Sequence, residues 1–284
     1  MKKILLATTL IAMSAGYAAA EVTVTAKARM GIIDNGAEDI LGNKIGPKFT
    51  SRVRIIFTAS GETDGGLTFG ASVRNDQSGV GNTSNGDSTV YIAGAFGKLT
   101  MGDVSGAPDA LVGQVSGVGL TGLNDMNEIS YLGNPKTAAL YEYSAGALTF
   151  GLGLGQANIP GDDAYSVAVK YSTDAYTVAL GYEKRGAVKQ TSLFGSGTFS
   201  GATIKATVAD RNTAADMGYA LSVDYSISGA TVTAFYSDNS GFDTLSAYGL
   251  GASYDLGGGA SVVGGIAKKE GLNTMFDLGV SMSF

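Results

Sequence analysis

The stretch FDLGVSMSF, residues 276–284, alternates large apolar residues with small or polar ones. Every second residue from Phe276 to Phe284 is large and apolar, and the residues between them are Asp277, Gly279, Ser281 and Ser283. Successive side chains of a β-strand point to opposite faces, so the pattern predicts a strand with one apolar and one polar face. Such a strand needs an apolar neighbour on one side and can face water on the other.

The same alternation recurs along most of the chain. Lys27 and Arg29 share the polar face of the first predicted strand, and Arg52 and Arg54 share that of the second. Charges distributed by chance would fall on both faces, yet nearly all of them lie on the non-apolar one. The sequence therefore predicts many amphipathic strands, each with one apolar face and one polar face.

Long and short connections alternate between these strands. Short ones are predicted near 61–66, 97–98, 144–147, 173–175, 200–202, 228–230 and 256–259, and longer ones near 34–48, 75–87, 104–137, 155–163, 184–189, 211–216, 238–244 and 269–273. These fifteen connections imply sixteen strands. Outer-membrane barrels have an even strand number, short periplasmic turns and longer external loops. The predicted fold is an all-β, 16-stranded antiparallel transmembrane β-barrel, apolar outside and polar inside.

Aromatic residues cluster near the predicted strand ends, at Phe49, Tyr91, Phe96, Tyr141, Tyr143, Tyr171, Tyr176 and Tyr225. Girdles at the two membrane interfaces use such rings, although aromatic residues also favour strands in general. Small residues predicted to face outward, namely Ala26, Ala28, Gly94 and Gly249, could mark a surface where barrels pack together.

Residues 1–20 have the composition of a secretory signal peptide. Lys2 and Lys3 precede an apolar run at 4–13, and three alanines at 18–20 form a small-residue cleavage site. The predicted domains are thus the signal peptide at 1–20 and the barrel at 21–284. Export of a barrel of this kind predicts the outer membrane of a Gram-negative cell.

Composition excludes several classes of function. The chain has no Cys and no His, so disulfide stapling, Ser-His-Asp hydrolysis and His-ligated zinc are absent. Its formal net charge of −6 is unsuited to nucleic acid, which needs clustered basic residues. A channel requires no catalytic residue and no cofactor, and the chain is predicted not to be an enzyme.

Several segments resemble the trimeric general-diffusion porins of alphaproteobacterial outer membranes. They are Ala28–Gly31, Ser51–Arg54, Phe57–Ser72, Gly94–Asp103, Tyr141–Phe150, Tyr176–Lys184, Tyr248–Ala267 and the closing DLGVSMSF. The resemblance implies a homotrimer set in outer-membrane lipid and lipopolysaccharide, with small hydrophilic solutes and ions diffusing passively through each barrel. It also implies that the long third external loop, about 104–137, folds into the lumen and narrows it.

Charged residues of inward parity predict how such a pore would select its solutes. The candidate basic wall consists of Lys27, Arg29, Arg52, Arg54 and Arg74, and the candidate acids on or at the root of the loop are Asp103, Asp109, Asp125 and Glu128. A basic wall facing an acidic loop would create a transverse field at the narrowest point. That field orders water and favours small dipolar solutes over apolar ones.

Two further motifs have alternative readings. Asp125, Asn127 and Glu128 could supply three ligands of a calcium site, whereas calcium takes about six to eight oxygen ligands. Gly151, Gly153 and Gly155 resemble a dinucleotide loop, but no helix follows them, and they fit a flat stripe of small residues along a strand.

Other functions remain open on the sequence alone. A solute-specific channel would carry an aromatic track along the lumen, but Trp is absent and most Tyr and Phe have outward parity. A barrel enzyme would normally need a His, and a secreted soluble β protein or adhesin would have no lipid-facing band. Pore diameter, the sign of ion selectivity and any preferred solute are not predicted.

Overall fold

The computed structural model describes residues 20–79, 82–134, 137–156, 163–239 and 245–284, without the side chains of 82–86. Residues 1–19, nearly all of the predicted signal peptide, lie outside the described residues. The strands are β1 (Glu21–Asp34), β2 (Lys48–Glu62), β3 (Thr68–Ser78), β4 (Asn82–Gly94), β5 (Gly97–Gly102), β6 (Ala138–Ala145), β7 (Leu148–Leu154), β8 (Ala164–Ser172), β9 (Tyr176–Arg185), β10 (Val188–Phe199), β11 (Ala202–Arg211), β12 (Gly218–Ile227), β13 (Ala230–Asp238), β14 (Ala247–Gly257), β15 (Ala260–Lys269) and β16 (Met275–Ser283).

The sixteen strands form one closed antiparallel ring. Each strand pairs with its neighbours in sequence, and β1 also pairs with β16, where Met30 lies opposite Val280. A closed sheet leaves no edge whose backbone N–H and C=O groups lack partners, which is the requirement for a sheet that crosses lipid. The predicted fold class and strand number are confirmed.

Exposure alternates along the strands as the sequence pattern predicts. In β9, Leu180 is 49% exposed, whereas the adjacent Ala179 is fully buried. The outward apolar residues form a continuous belt around the barrel, much larger than the apolar patches of soluble proteins. One parity prediction is wrong: Gly249 faces inward, since a Cβ there would lie 2.9 Å from Val118 Cγ2 of the 103–137 segment.

Two predicted external loops are mostly strand. Residues 75–78 of β3 pair with residues 82–85 of β4, and β9 and β10 are joined by residues 186–187 alone. Polar composition suggested loops, but strand ends that extend beyond the membrane need no apolar face. Cross-strand pairing there is reinforced by ion pairs such as Arg74–Asp87, and Gly186 supplies the positive φ of 56° for the tight turn. The short turn predicted at 97–98 lies at 95–96.

Outward-facing tyrosines occupy one part of the circumference. They belong to β6, β8, β9, β12, β13 and β14 and are Tyr141, Tyr143, Tyr165, Tyr171, Tyr176, Tyr182, Tyr219, Tyr225, Tyr236, Tyr248 and Tyr254. Within the described ranges, the arc from β15 through β16 and β1 to β5 has no outward tyrosine, because Tyr91 faces inward. The tyrosines of the predicted girdle therefore lie on β6–β14, whereas the exposed aromatic residues from β1 to β5 are phenylalanines, namely Phe49, Phe57, Phe69 and Phe96.

The 103–137 segment between β5 and β6 has its own short elements. They are a helix, α1 (Ala107–Leu111), and a 3-10 turn at Leu123–Asp125. Among the described residues, no helix is long and apolar enough to cross a membrane. Buried apolar residues of the segment pack against inward residues of the barrel, as Val118, Leu123 and Met126 do against Phe235 and Met275. The core of the molecule thus lies between this segment and the inner wall.

Candidate functional site

The five predicted basic-wall residues lie together on the inner face of β1–β3. Across the β1–β2 pair, Lys27 is directly opposite Arg54 and Arg29 is directly opposite Arg52. Like charges in directly opposed positions destabilise a sheet. These two neighbouring pairs therefore do not stabilise the sheet, and they concentrate positive charge on one part of the inner wall.

Asp76 partly neutralises the patch and was not among the predicted residues. Its Oδ1 lies 2.7 Å from Arg54 Nε, and its Oδ2 lies 3.0 Å from Arg74 Nε. Arg74 also pairs with Asp87. Because Asp76 follows Arg74 by two residues, both have the same parity, and the sequence contained this signal.

Lys27, Arg29 and Arg52 form no ion pair with any residue that the structure describes. Arg29 Nη1 donates to the backbone oxygen of Leu120 at 3.3 Å, which joins the basic wall to the 103–137 segment. The Asp125 carboxylate lies within electrostatic range of both Arg29 and Arg52. Two acids of the wall act more strongly than Asp125, namely Asp277 on Arg29 and Asp76 on Arg52.

Three of the four predicted acids lie together. Asp109, Asp125 and Glu128 line one cavity of about 500 Å³ with Tyr131 and Lys269. Asp103 is not part of its lining and sits at the root of the segment, where its N–H donates to Ser88 O at 2.9 Å. The structure thus brings together the acids at 109, 125 and 128, but not the one at 103.

The acids in the cavity affect one another. Burial raises the pKa of the Glu128 carboxyl above its usual range, and the Asp125 and Asp109 carboxylates raise it further. Burial raises the pKa of Tyr131 as well, followed by the charges of Asp109 and Glu183. The Tyr131 hydroxyl therefore stays protonated and donates to Gly113 O at 2.7 Å.

Asp125 is held in place by a left-handed turn. Leu123, Asn124 and Asp125 have φ values of 45°, 64° and 51°, which cost L-residues roughly 1–2 kcal/mol each. The fully buried Leu123 side chain packs in the cluster with Met126 and Met275, and this packing holds the strained turn. Asn124 and Asp125 remain exposed. Backbone strain of this kind persists only where the surroundings impose it, and it is common at functional sites.

Hydrogen bonds attach the segment to the inner faces of many strands. Besides Arg29, the wall residues that make them include Ser166 on β8, Glu183 on β9, Gln190 on β10, Arg211 on β11, Ser222 on β12, Ser237 on β13 and Asp277 on β16. Sequence reasoning did not identify these residues as attachment points. Their inward parity was visible, but Asp277 meets Leu120 across a separation of 157 residues, and no local pattern signals that contact.

The structure provides no support for a calcium site at Asp125, Asn127 and Glu128. Among the described residues, no group of three or more acidic, Cys or His side chains is arranged to hold a metal ion. Asn127 is buried, and its amide donates to Val115 O at 2.8 Å. Calcium binding by these three residues therefore stays a prediction.

Comparisons with known proteins agree with this architecture. The family model described as Gram-negative porin matches residues 7–274. A porin of Rhodobacter capsulatus is 38% identical over 310 aligned positions, covering 93% of this chain and all of that protein. A porin structure refined at 1.8 Å superposes with a TM-score of 0.78 at 34% identity, over 93% of this chain and all of the other. An engineered Rh. blastica porin, 22% identical over the same shares, shares the fold with a TM-score of 0.79.

Proposed function

Because the chain belongs to the family of Gram-negative porins, we propose that the 103–137 segment narrows its lumen and that a transverse electric field crosses the passage there. The protein is an outer-membrane β-barrel channel for passive diffusion, and it is not an enzyme. What the family does not specify is which residues of this chain set the width and charge of the passage.

The observation that carries the proposal is the placement of opposite charges on the two surfaces. Arg29 and Arg52 lie on the wall and form no ion pair with a described residue, and Asp109, Asp125 and Glu128 lie on the segment. Fixed charges of opposite sign order the water between them, and a solute must replace that water. Small polar solutes do so at a lower cost than apolar solutes of equal size.

Single-channel recording in planar bilayers under a salt gradient tests this proposal. We expect stepwise, ohmic insertions, and we expect the reversal potential to move toward anion selectivity when Asp109, Asp125 and Glu128 are replaced by their amides. If the reversal potential were the same in the wild type and the triple variant, the segment acids would lie outside the ion path and the field would be refuted.

Acidification should reveal the charge of Glu128. Because its pKa is raised, this carboxyl takes up its proton at a higher pH than an ordinary glutamate. The passage therefore loses one negative charge as the solution is acidified, before an ordinary glutamate would be protonated, and selectivity should shift toward anions. The measurement is the reversal potential at several pH values. Glu128→Gln should lose this early shift, and Glu142→Gln, on the wall of β6 outside the cavity, should keep it.

We further propose a homotrimer packed through the arc of β15, β16 and β1–β5. Tyrosine marks the interface between hydrocarbon and headgroups in membrane barrels. Its absence from the outer face of this arc is expected where a neighbouring barrel, not lipid, covers the surface. The tyrosine-bearing arc of β6–β14 would then face lipid and lipopolysaccharide.

A bulky substitution should distinguish the two arcs. Val90 on β4 and Val167 on β8 both face outward and are 55% and 44% exposed. Tryptophan at Val90 should disrupt a packed protein interface, whereas at Val167 it meets only fluid lipid chains. We expect Val90→Trp to yield monomers in detergent and Val167→Trp to remain trimeric, as judged by light scattering during size-exclusion chromatography. Trimers with Val90→Trp and monomers with Val167→Trp would place the interface on the other arc.

We also propose that residues 1–20 are the export signal and that residues 21–284 form the barrel domain. The first strand begins at Glu21, directly after the predicted cleavage site. N-terminal sequencing of the protein purified from outer membranes checks this assignment.

A further inference from the structure

Glycines face inward where the 103–137 segment meets β14 and β15. A Cβ on Gly265 would lie 2.7 Å from Gly119 N, and a Cβ on Gly251 would lie 2.8 Å from Val118 Cβ. Real Cβ atoms essentially never come this close to another heavy atom. The backbone of the segment thus rests directly on the backbone of the wall, and any larger residue would push it away.

The same arrangement supports α1 on the opposite part of the barrel. A Cβ on Gly181 of β9 would lie 2.7 Å from Pro108 Cβ, and one on Gly151 of β7 would overlap Leu111 Cδ1. This contact explains the stripe at 151–155 that resembles a nucleotide loop in the sequence. Its glycines at 151 and 153 leave room for the helix and have no part in phosphate binding.

Asp277 on β16 binds residues 119–121, the tip of the 103–137 segment. Its carboxylate, 2% exposed, accepts hydrogen bonds from Leu120 N at 2.8 Å, from Thr121 N at 2.7 Å and from Thr121 Oγ1 at 2.7 Å. Gly119, with a φ of 88°, completes the tight turn at this contact. The close backbone contact with Gly265 and the hydrogen bonds to Asp277 therefore fix the same turn, because Gly119 lies next to both residues.

We propose that Gly251, Gly265 and Asp277 form a seat whose depth sets how far the 103–137 segment projects across the lumen, and thereby the largest solute that passes. The inference rests on the proposed narrowing of the lumen by this segment. These residues touch no solute, and they act through the position of the segment. Apolar contacts relax to about 4 Å, so one added methyl group at Gly265 displaces the tip by roughly 1 Å. The wall blocks movement outward, and the displacement must go into the passage.

Alanine variants test the seat. Gly265→Ala and Gly251→Ala should each lower the single-channel conductance and slow the uptake of larger sugars into liposomes relative to smaller ones. Gly195→Ala is the control, because Gly195 lies on the outward face of β10 and a Cβ there would meet nothing within 4 Å. It should conduct like the wild type. Heat-modifiable mobility on gels confirms that each variant forms a folded barrel.

The outcomes separate this inference from the function on which it rests. Conductance equal to that of Gly195→Ala in both seat variants would overturn the seat, and so would an increase, since it would mean release of the tip and not displacement. A variant with residues 113–130 replaced by a short Gly-Ser linker should conduct more than the wild type. If it does and the seat variants do not change, only the seat is refuted. If it conducts like the wild type, the proposed narrowing is itself refuted.

Discussion

Replacing Arg29 and Arg52 together with glutamine is expected to make the channel markedly more cation-selective. These two residues lie directly opposite each other on β1 and β2, and neither forms an ion pair with a described residue. Arg54 and Arg74 are paired with Asp76, so their charges are already partly offset in the wild type. In the sequence, the equal parity of Asp76 and Arg74 was the one sign that the arginines differ.

The size of the effect follows from Coulomb's law. A unit charge acts on a monovalent ion roughly 8 Å away in water with about 0.5 kcal/mol. Removing two positive charges stabilises a cation in the passage by about 1 kcal/mol and destabilises an anion by the same amount. The ratio of cation to anion permeability then rises roughly 30-fold in the absence of screening by salt. Salt at 0.1 M has a Debye length of about 10 Å and reduces the change to several-fold.

Reversal potentials under a potassium chloride gradient measure this ratio. Lys170→Gln is the control, because its charge lies on β8, outside the basic wall, and it should shift the potential much less. The expected result also includes a shift that grows as the salt concentration falls. Equal shifts in the double variant and the control would show that the basic wall is not the narrowest charged surface.

Leu123→Ala should loosen the 103–137 segment without unfolding the barrel. Leu123 is fully buried and packs with residues of β13–β16 in the cluster that holds the left-handed turn. Truncation of a buried leucine to alanine costs about 2–5 kcal/mol, and here the loss falls on the segment and not on the strand pairs. The strained turn at 123–125 then relaxes, and Asp125 loses its fixed position.

Two measurements report this loss. We expect faster cleavage within the segment under limited proteolysis, and greater noise in the open-channel current, with the barrel still heat-modifiable on gels. Leu41→Ala is the matched control because Leu41 is 81% exposed in an external loop, and it should behave like the wild type. A quiet, protease-resistant Leu123→Ala channel would show that the wall hydrogen bonds alone order the segment.

The architecture could be predicted because strand parity is a local property. A two-residue period assigns a face to every side chain, and the single face of Lys27, Arg29, Arg52 and Arg54 follows from it directly. Polar composition predicted the loops less well, because polar residues occur both in loops and in strand ends that extend into water. The stretch at 75–87 was misjudged for this reason.

The site was predictable only where it depends on parity. The shared face of the basic wall and the common cavity of three segment acids follow from strand faces and from one long connection, whereas their role in selectivity stays a prediction. The seat at Gly251, Gly265 and Asp277 was not predictable, since it depends on where a flexible-looking segment meets strands more than a hundred residues later. A local sequence pattern carries no information about a contact of this kind.

Pairing of β1 with β16 closes the ring on the strand that also anchors the segment. At this seam the Ala26 N–H donates to Phe284 O and the Phe284 N–H donates to Ala26 O, so ring closure joins strands with the greatest separation in sequence. Contacts of long range form late, after the chain entropy between them has been spent. Asp277 lies on β16 itself, and the tip of the segment reaches its anchor only when that strand is in place. A barrel that lacked β16 would therefore be open at the side, and its segment would lack the three hydrogen bonds to Asp277.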